Sequence, residues 1–226
     1  MSAPLRLGVL ASGGGSNCEA LCAEIDARGA ASPAYVSLVV SNVATAGVLA
    51  RAAQRGIAHT VLEDATDGER LLRVLEEYRI DLVVLAGYLK LVPAVVTARF
   101  AGRIVNVHPA LLPSFGGHGM YGRRVHAAVL AAGCTVTGVT VHLVDEQYDR
   151  GPILAQWPVP VHAHDTPESL AARVLRTEHQ LFPRAVLALA ERLTRGGTAR
   201  DALLLPTDAD AFAWSASADV IARTHS

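Results

Sequence analysis

The sequence predicts an α/β fold, with a doubly wound, mostly parallel sheet and helices on both of its faces. Strand-like apolar runs alternate with segments of helical periodicity along most of the 226 residues, the order typical of this class. The run Leu82–Ala86 is apolar at every position, as expected of a central parallel strand covered on both faces. A glycine-rich turn at residues 12–17 joins the first strand to the first helix, where such folds bind anions.

The predicted strands are short and either continuously apolar or alternating. They are Leu5–Ala11, Tyr35–Val40, Ala58–Leu62, Leu82–Ala86, Arg103–Val107, Thr135–Val144 and Ile153–Val161. The predicted helices are Asn17–Arg28, Thr45–Arg55, Gly68–Arg79, Arg123–Ala132 and Pro167–Leu193. Prolines within the last strand predict an edge position, and Pro183 is expected to kink the last helix.

Length and composition favour one folded domain over residues 1–195, followed by a peripheral tail over residues 196–226. With 20 basic and 21 acidic residues the formal net charge is −1, so no global field attracts nucleic acid or a membrane surface. The strictly apolar runs are too short to span a bilayer. Three cysteines without a Cys-x-x-Cys pair argue against a disulfide framework or a zinc site, and they favour a reducing, cytoplasmic setting.

The glycine-rich turn Ser-Gly-Gly-Gly-Ser-Asn at residues 12–17 is a candidate phosphate site. Glycines permit close approach of backbone N–H groups to an anion, and Ser16 and Asn17 can cap the helix or donate to the anion. A dinucleotide fingerprint fits poorly, because its third glycine falls on Cys18 and the next strand ends without an acidic residue. A monophosphate site is slightly favoured over a simple tight turn.

Two polar side chains lie two residues apart in an otherwise apolar strand. Period 2 places Asn106 and His108 on one face, at the carboxyl end where open α/β sheets bind ligands. Asn can donate to a developing oxyanion, and His can donate or exchange a proton. An alternative of equal weight is that His108 is a buried structural residue and that Asn106 bonds the backbone. An acidic loop at residues 145–149 offers a carboxylate to this pair, although such loops are more often simply solvated.

Other polar groups have simpler interpretations. The set His162, His164 and Asp165 suits exposed residues or a helix cap by Asp165 better than a metal site. His142 is expected to be a core or supporting residue rather than a catalyst, and a glycine-dense, aperiodic loop at residues 115–122 is expected to cover a ligand.

These pieces together resemble the phosphoribosylglycinamide formyltransferases, folate-dependent enzymes of purine synthesis with a Rossmann-like fold. The stretch Asn-Val-His-Pro-Ala-Leu-Leu-Pro (106–113) is similar to that of folate-dependent formyltransferases, and the loop at 12–17 narrows the resemblance to the ribonucleotide enzyme. Further matching pieces are Val-Val-Leu-Ala-Gly-Tyr (83–88), Gly-Val-Thr-Val-His-Leu-Val-Asp (138–145), Asp-Arg-Gly-Pro-Ile-Leu-Ala-Gln (149–156) and Thr-Glu-His (177–179).

The resemblance implies transfer of a formyl group from 10-formyltetrahydrofolate to the amine of glycinamide ribonucleotide, without a metal. It implies catalytic roles for Asn106, for a protonated His108 and for Asp149, ranked above its neighbour Asp145. The implied substrate-binding residues are Gly15, Ser16, Asn17 and Glu178, and the implied folate-binding residues are Leu89, Lys90, Leu91, Val92 and Asp145. Small molecules are the expected partners, with the chain acting as a monomer or homodimer.

Two departures from the family pattern leave roles open. The segment at residues 116–126 is longer than in many relatives, so contacts of His118, Tyr121 and Arg124 with substrate are undecided. Arg70 is a candidate replacement for an anion-binding Arg that the family has nearby. Two other functions also remain open: hydrolysis of formyltetrahydrofolate, and a non-catalytic nucleotide- or folate-binding module.

Overall fold

The computed structural model describes residues 3–198, which form a single seven-stranded sheet with helices on both faces. The strands are β1 (Leu5–Leu10), β2 (Ala34–Ser41), β3 (Ala58–Val61), β4 (Leu82–Leu85), β5 (Ile104–His108), β6 (Val136–Leu143) and β7 (Ile153–Pro160). The helices are α1 (Ser16–Arg28), α2 (Gly47–Gln54), α3 (Gly68–Glu77), α4 (Ala94–Arg99), α5 (Arg123–Ala131) and α6 (Pro167–Thr194). The α/β prediction is therefore confirmed, and the short helix α4 was missed.

The strand order is β3-β2-β1-β4-β5-β6-β7. The five strands from β3 to β5 run parallel, whereas β6 is antiparallel to both β5 and β7. The prediction of a mostly parallel sheet is confirmed, as is the edge position of the proline-containing strand β7. The strand order reverses between β1 and β4, and open α/β sheets bind ligands beyond the carboxyl ends of the strands at such a point.

Alternate residues of the central strands feed two hydrophobic cores, one on each face of the sheet. Leu82 and Val84 face a core completed by α1, α2, α5 and α6, where Cys18 and Cys22 are also buried. Val83 and Leu85 face the other core, completed by α3 and α4. Burial on both faces explains why β4 is apolar at every position, and it makes the sheet a rigid base for side chains at its edge.

The side chain of Ser12 ties together the loops at the switch point. Its hydroxyl donates to Asn42 Oδ1 at 2.6 Å and accepts from the backbone N–H of Leu89 at 3.0 Å, while its own N–H donates to the Gly87 carbonyl at 3.0 Å. The loops after β1, β2 and β4 are therefore held at fixed relative positions. These loops carry both the glycine-rich turn and the predicted folate-binding residues.

Helix α6 starts at a reciprocal capping box between Thr166, the N-cap, and Ser169. Of the two alternatives for the preceding residues, exposure holds for His162 and His164, and a cap by Asp165 is wrong. The Asp165 carboxylate is instead nearly buried and accepts two hydrogen bonds from the Arg173 guanidinium, at 2.6 and 2.7 Å. The helix continues past Pro183 to Thr194. Within the described residues no helix is long and apolar enough to cross a membrane.

The predicted peripheral tail falls almost entirely outside the described residues, of which only Gly196, Gly197 and Thr198 belong to it. The division into a domain over 1–195 and a tail over 196–226 thus stays a prediction.

Asp165→Asn should destabilise the protein by about 1–3 kcal/mol at pH 7, because it removes the charged acceptor of a nearly buried bidentate pair. The Arg173 hydrogen bonds hold the pKa of Asp165 well below its usual range. The stabilising contribution is therefore fully present above the unfolded-state pKa of about 4 and declines as pH falls through the folded pKa. Urea unfolding at pH 7 and pH 3 measures this difference, which should narrow at pH 3.

Asp26→Asn provides the control, because Asp26 also pairs with an arginine, Arg55, but its side chain is 65% exposed. An exposed pair should contribute less than about 1 kcal/mol. An equal loss for both variants, or a loss for Asp165→Asn that does not change with pH, would contradict the assignment.

Candidate active site

A cavity of about 450 Å³ opens at the carboxyl edge of the sheet, where β4, β5 and β6 meet. Its wall includes Asn106, His108 and Asp149, the three predicted catalytic residues. It also includes the predicted ligand residues Asn17, Leu89, Lys90, Leu91, Val92 and Glu178. Side chains from opposite ends of the sequence are thus brought into one site.

The pairing of β5 with β6 positions the polar centre of this site. Asn106 lies directly opposite His142 in the antiparallel register, and His108 lies opposite Thr140. Directly opposed residues project their side chains from the same face of the sheet. The Asn106 amide accordingly reaches His142 Nε2 at 3.1 Å.

The hydrogen bonds of His142 determine which way the Asn106 amide can act. His142 Nδ1 donates to the Leu143 carbonyl at 2.7 Å, so in the neutral ring Nε2 is left as an acceptor. One N–H of the Asn106 side chain donates to that nitrogen, which orients the amide and leaves its second N–H free to donate into the cavity. His142 therefore supports Asn106, as expected of a supporting residue.

His108 is oriented by the loop that follows it. Its Nε2 donates to the Phe115 carbonyl at 2.9 Å, and its Nδ1 faces Asp149 Oδ2 at 3.6 Å. Burial lowers the pKa of His108 and outweighs the opposing effect of Asp149, so the ring is mainly neutral at pH 7 in the ligand-free protein. Because Nε2 is committed to Phe115, only Nδ1 can serve a substrate, and it can donate only in the protonated form that Asp149 stabilises.

Asp149 is held from three sides at the end of the β6–β7 loop. Its Oδ2 accepts from the Gly117 N–H at 2.9 Å, and its Oδ1 lies 3.5 Å from His142 Nε2. Burial opposes ionisation, but the charge of a protonated His108 and the Gly117 N–H act to keep the pKa of this carboxyl below its usual range. Asp149 is therefore a carboxylate at neutral pH. Its neighbour Asp145 accepts from the N–H of Gln147 and is not part of the cavity wall.

The contact between Asp149 and the glycine-dense loop requires a glycine. A Cβ at Gly116 would lie 2.5 Å from Leu112 Cδ2 and 3.1 Å from Asp149 Cβ. Asp149 itself has a left-handed backbone with φ of 55°, a conformation that Asp tolerates better than most residues. The glycine-dense loop therefore covers the Asp149 carboxylate, and its covering of a ligand stays a prediction.

The loop after β5 is fixed by a buried hydroxyl that the sequence did not single out. Thr140 Oγ1 donates to the Ala110 carbonyl at 2.7 Å and accepts from the Leu112 N–H at 3.0 Å. Gln156 Nε2 donates to the Leu112 carbonyl at 2.9 Å and to Thr140 Oγ1 at 3.0 Å. Strands β6 and β7 thereby hold the turn between His108 and Phe115 in place.

The glycine-rich turn ends in a backbone conformation that only glycine adopts readily there. Gly15 is the N-cap of α1 with φ of 79°, and a Cβ on it would lie 2.9 Å from the backbone of Val48. No side chain caps the helix, so the alternative in which Ser16 or Asn17 serves as a cap is wrong. The uncapped N–H groups of the first turn can receive an anion.

Asn17 instead links the glycine-rich turn to α6. Its side-chain amide donates to Glu178 Oε2 at 2.6 Å, and both residues are buried in the cavity wall. Burial raises the pKa of Glu178, an effect that the Asn17 hydrogen bond partly offsets. Gly15 and Ser16 lie at the start of α1 outside the cavity wall, whereas Asn17 and Glu178 connect that helix start to the cavity.

Several cavity residues were missed or left open by sequence reasoning. Tyr88, Gln147 and Tyr148 line the cavity, as do His118, Tyr121 and Arg124 from the glycine-dense loop and the start of α5. The His118 and Tyr148 rings meet edge to face at 5.6 Å, which connects the two loops. Arg70 is exposed on α3 and does not line the cavity. No group of three or more metal-ligating side chains occurs in residues 3–198.

Comparisons with known proteins agree on the family. A profile described as formyl transferase matches residues 5–186. A chloroplastic phosphoribosylglycinamide formyltransferase of Arabidopsis thaliana is 45% identical over 196 residues, covering 82% of this chain and 65% of the relative. The corresponding protein of Vigna unguiculata is 44% identical over 82% of this chain and 61% of its own length. This chain thus spans slightly less than two thirds of these two relatives.

Solved structures that resemble this chain belong to the same family. A phosphoribosylglycinamide formyltransferase from Anaplasma phagocytophilum superposes with a TM-score of 0.76 at 39% identity, covering 84% of this chain and 88% of that one. One from Brucella melitensis has a TM-score of 0.74 at 42% identity, with coverage of 83% and 96%. A formyltetrahydrofolate deformylase from Pseudomonas syringae, at 24% identity and a TM-score of 0.73, has the same fold.

Asp149→Asn should lower the pKa of His108 still further, because it removes the charge that stabilises the imidazolium while burial remains. NMR titration of the His108 ring measures this shift directly. Asp145→Asn is the matched control, since Asp145 bonds only within its own turn, and it should leave the His108 titration unchanged. A His108 pKa that is equal in wild type and Asp149→Asn would contradict the coupling.

Proposed function

Because this chain belongs to the formyl transferase family, we propose that it transfers the formyl group of 10-formyltetrahydrofolate to the amine of glycinamide ribonucleotide, a step of purine synthesis. The observation that carries the proposal is the arrangement of Asn106, His108 and Asp149 in the wall of one cavity. A binding module needs a cavity and an anion site, but it has no need of a free amide donor beside an ionised carboxylate.

The chain's own residues supply each group that the transfer requires. Asn106 donates its free N–H to the oxygen of the formyl carbon as the ribonucleotide amine attacks. Asp149, ionised at neutral pH, accepts the proton that the amine loses. The bond between the formyl carbon and N10 of the folate then breaks, and N10 takes up that proton as the deformylated folate leaves. His108 supplies a second donor through Nδ1 once it is protonated, and the adjacent Asp149 stabilises that charge.

In this proposal the two substrates bind to different elements of the fold. The uncapped start of α1 at Gly15, Ser16 and Asn17 binds the ribonucleotide phosphate, and Glu178 accepts from a ribose hydroxyl. The folate lies against residues 89–92, with the backbone of the 145–149 loop completing its site. Of that loop only Gln147, Tyr148 and Asp149 line the cavity, so a role for the Asp145 side chain has less support. We further propose that the protein is cytoplasmic and acts as a monomer or a homodimer. The proposed reaction uses no metal.

Mixing the protein with glycinamide ribonucleotide and 10-formyltetrahydrofolate should release deformylated folate, followed by absorbance, only when the ribonucleotide is present. Omitting the ribonucleotide is the control that separates transfer from hydrolysis. Release without ribonucleotide would assign the hydrolase function instead. No release, with both ligands bound, would leave a binding module.

Asn106→Ala should lower kcat by about 10²–10³-fold, because it removes one donor to the oxygen that becomes charged during transfer. Dissociation constants for both substrates should change little, since the lost hydrogen bond acts mainly in the transition state. Steady-state kinetics and calorimetric binding of each ligand measure the two effects. A variant with normal kcat and weakened binding would remove Asn106 from the chemistry.

A further inference from the structure

Three polar side chains form a row across strands β5, β6 and β7, and all three contact the turn that follows β5. In the sheet register His108 lies opposite Thr140, and Thr140 lies opposite Gln156. Directly opposed residues project from the same face of a sheet. Strand β7 contributes no residue to the described cavity wall, so any influence of Gln156 on His108 passes through the row and the turn.

Gln156 binds the middle of this turn through its side-chain nitrogen. Nε2 donates to the Leu112 carbonyl at 2.9 Å and to Thr140 Oγ1 at 3.0 Å. The Thr140 hydroxyl gives its own hydrogen to the Ala110 carbonyl, so it can only accept from Gln156. Both amide hydrogens of Gln156 are therefore used, and the Leu112 carbonyl is held by this side chain.

Strand β6 leaves room for the turn at Gly138. This glycine lies two residues before Thr140 and so belongs to the same face of the sheet. A Cβ on it would lie 2.5 Å from Leu111 Cδ2 and would also overlap the Trp157 carbonyl. The turn thus packs closely on β6 at Gly138 and is hydrogen-bonded at Thr140 and Gln156, which fixes its position from two strands.

The position of the turn decides which nitrogen of His108 carries the proton. Phe115, at the end of the turn, accepts from Nε2 at 2.9 Å, whereas the Asp149 carboxylate lies 3.6 Å from Nδ1. A neutral imidazole has one N–H, so the two acceptors compete for it. His142 and His126 also interact electrostatically with His108, but like-charge repulsion from either opposes the imidazolium as a whole. The Phe115 carbonyl therefore has to stay in place for the proton to stay on Nε2.

We infer that Gln156 is a positioning residue that fixes the orientation and the tautomer of His108. It holds the turn through Leu112 and so fixes the Phe115 carbonyl, which keeps the proton of the neutral ring on Nε2. Nδ1 is then the nitrogen that takes up a second proton, and it faces Asp149. The consequence for catalysis rests on the proposed function, in which the protonated ring donates through Nδ1.

Nitrogen NMR of the His108 ring in the ligand-free protein, at about pH 8 where the ring is neutral, reports the tautomer directly. Wild type should show the proton on Nε2. Gln156→Met keeps the length of the side chain and removes both donors, so the Nδ1–H form should increase about fivefold relative to the Nε2–H form. Gln156→Glu should increase it further, because its carboxylate repels the Leu112 carbonyl. Gln180→Met, on an exposed position of α6, is the matched control and should leave the ring signals unchanged.

Turnover provides a second measurement. Gln156→Met should lower kcat about fivefold and leave KM for both substrates unchanged, since Gln156 is outside the cavity wall. Gln156 is only partly buried, so both variants should fold. A wild-type tautomer in both Gln156 variants would overturn the inference, whether kcat falls or not. Shifted tautomers in a protein that transfers no formyl group would support the inference and contradict the proposed function, whereas normal transfer with unchanged tautomers would do the reverse.

Discussion

The antiparallel register between β5 and β6 is the constraint on which the site depends. It sets Asn106 opposite His142 and His108 opposite Thr140, so one strand carries the proposed catalytic groups and the other carries the groups that orient them. A slip of β6 by one residue would turn His142 and Thr140 to the opposite face of the sheet, away from Asn106 and His108. The strand pairing thus fixes the centre of the site. The loops contribute Asp149, the glycine-dense loop that covers it and the opening of the cavity.

This register also explains why the polar centre can be buried without large cost. His142 donates to a carbonyl and accepts from Asn106, His108 donates to Phe115, and Thr140 satisfies two backbone groups of the turn between them. Buried polar groups that are paired in this way are held in one geometry, which is the preorganisation that electrostatic catalysis needs. The remaining free donor, on Asn106, faces the cavity.

Sequence reasoning recovered all seven strands, because alternation and apolar runs report burial directly. It missed α4, where Ala-Val-Val-Thr-Ala-Arg is short and rich in β-branched residues of weak helix propensity. The antiparallel direction of β6 was also not predicted, because an apolar run reads the same in parallel and antiparallel pairs. Period 2 placed Asn106 and His108 together, but the partner of each depends on the pairing of β5 with β6.

The errors at helix starts have a related cause. A Ser or Asp before an apolar run is a capping signal in the sequence, yet tertiary partners can take the same side chain. Asn17 bonds Glu178, and Asp165 bonds Arg173, which lies eight residues later. In both cases the local sequence allowed a cap as one alternative, and the side chain instead bonds a partner elsewhere in the fold.

The two carboxyl groups in the cavity wall show how one environment separates two roles. Asp149 has a backbone N–H donor and lies within 4 Å of two histidine rings, and its pKa is lowered despite burial. Glu178 has a single donor from Asn17, and burial raises its pKa. Carboxyl groups whose pKa values are driven apart in one site take different parts in proton chemistry. Asp149 is therefore the group that can be a carboxylate when a proton must be accepted. In the proposed function, Glu178, which is tied to the glycine-rich turn through Asn17, holds the ribonucleotide while that proton moves.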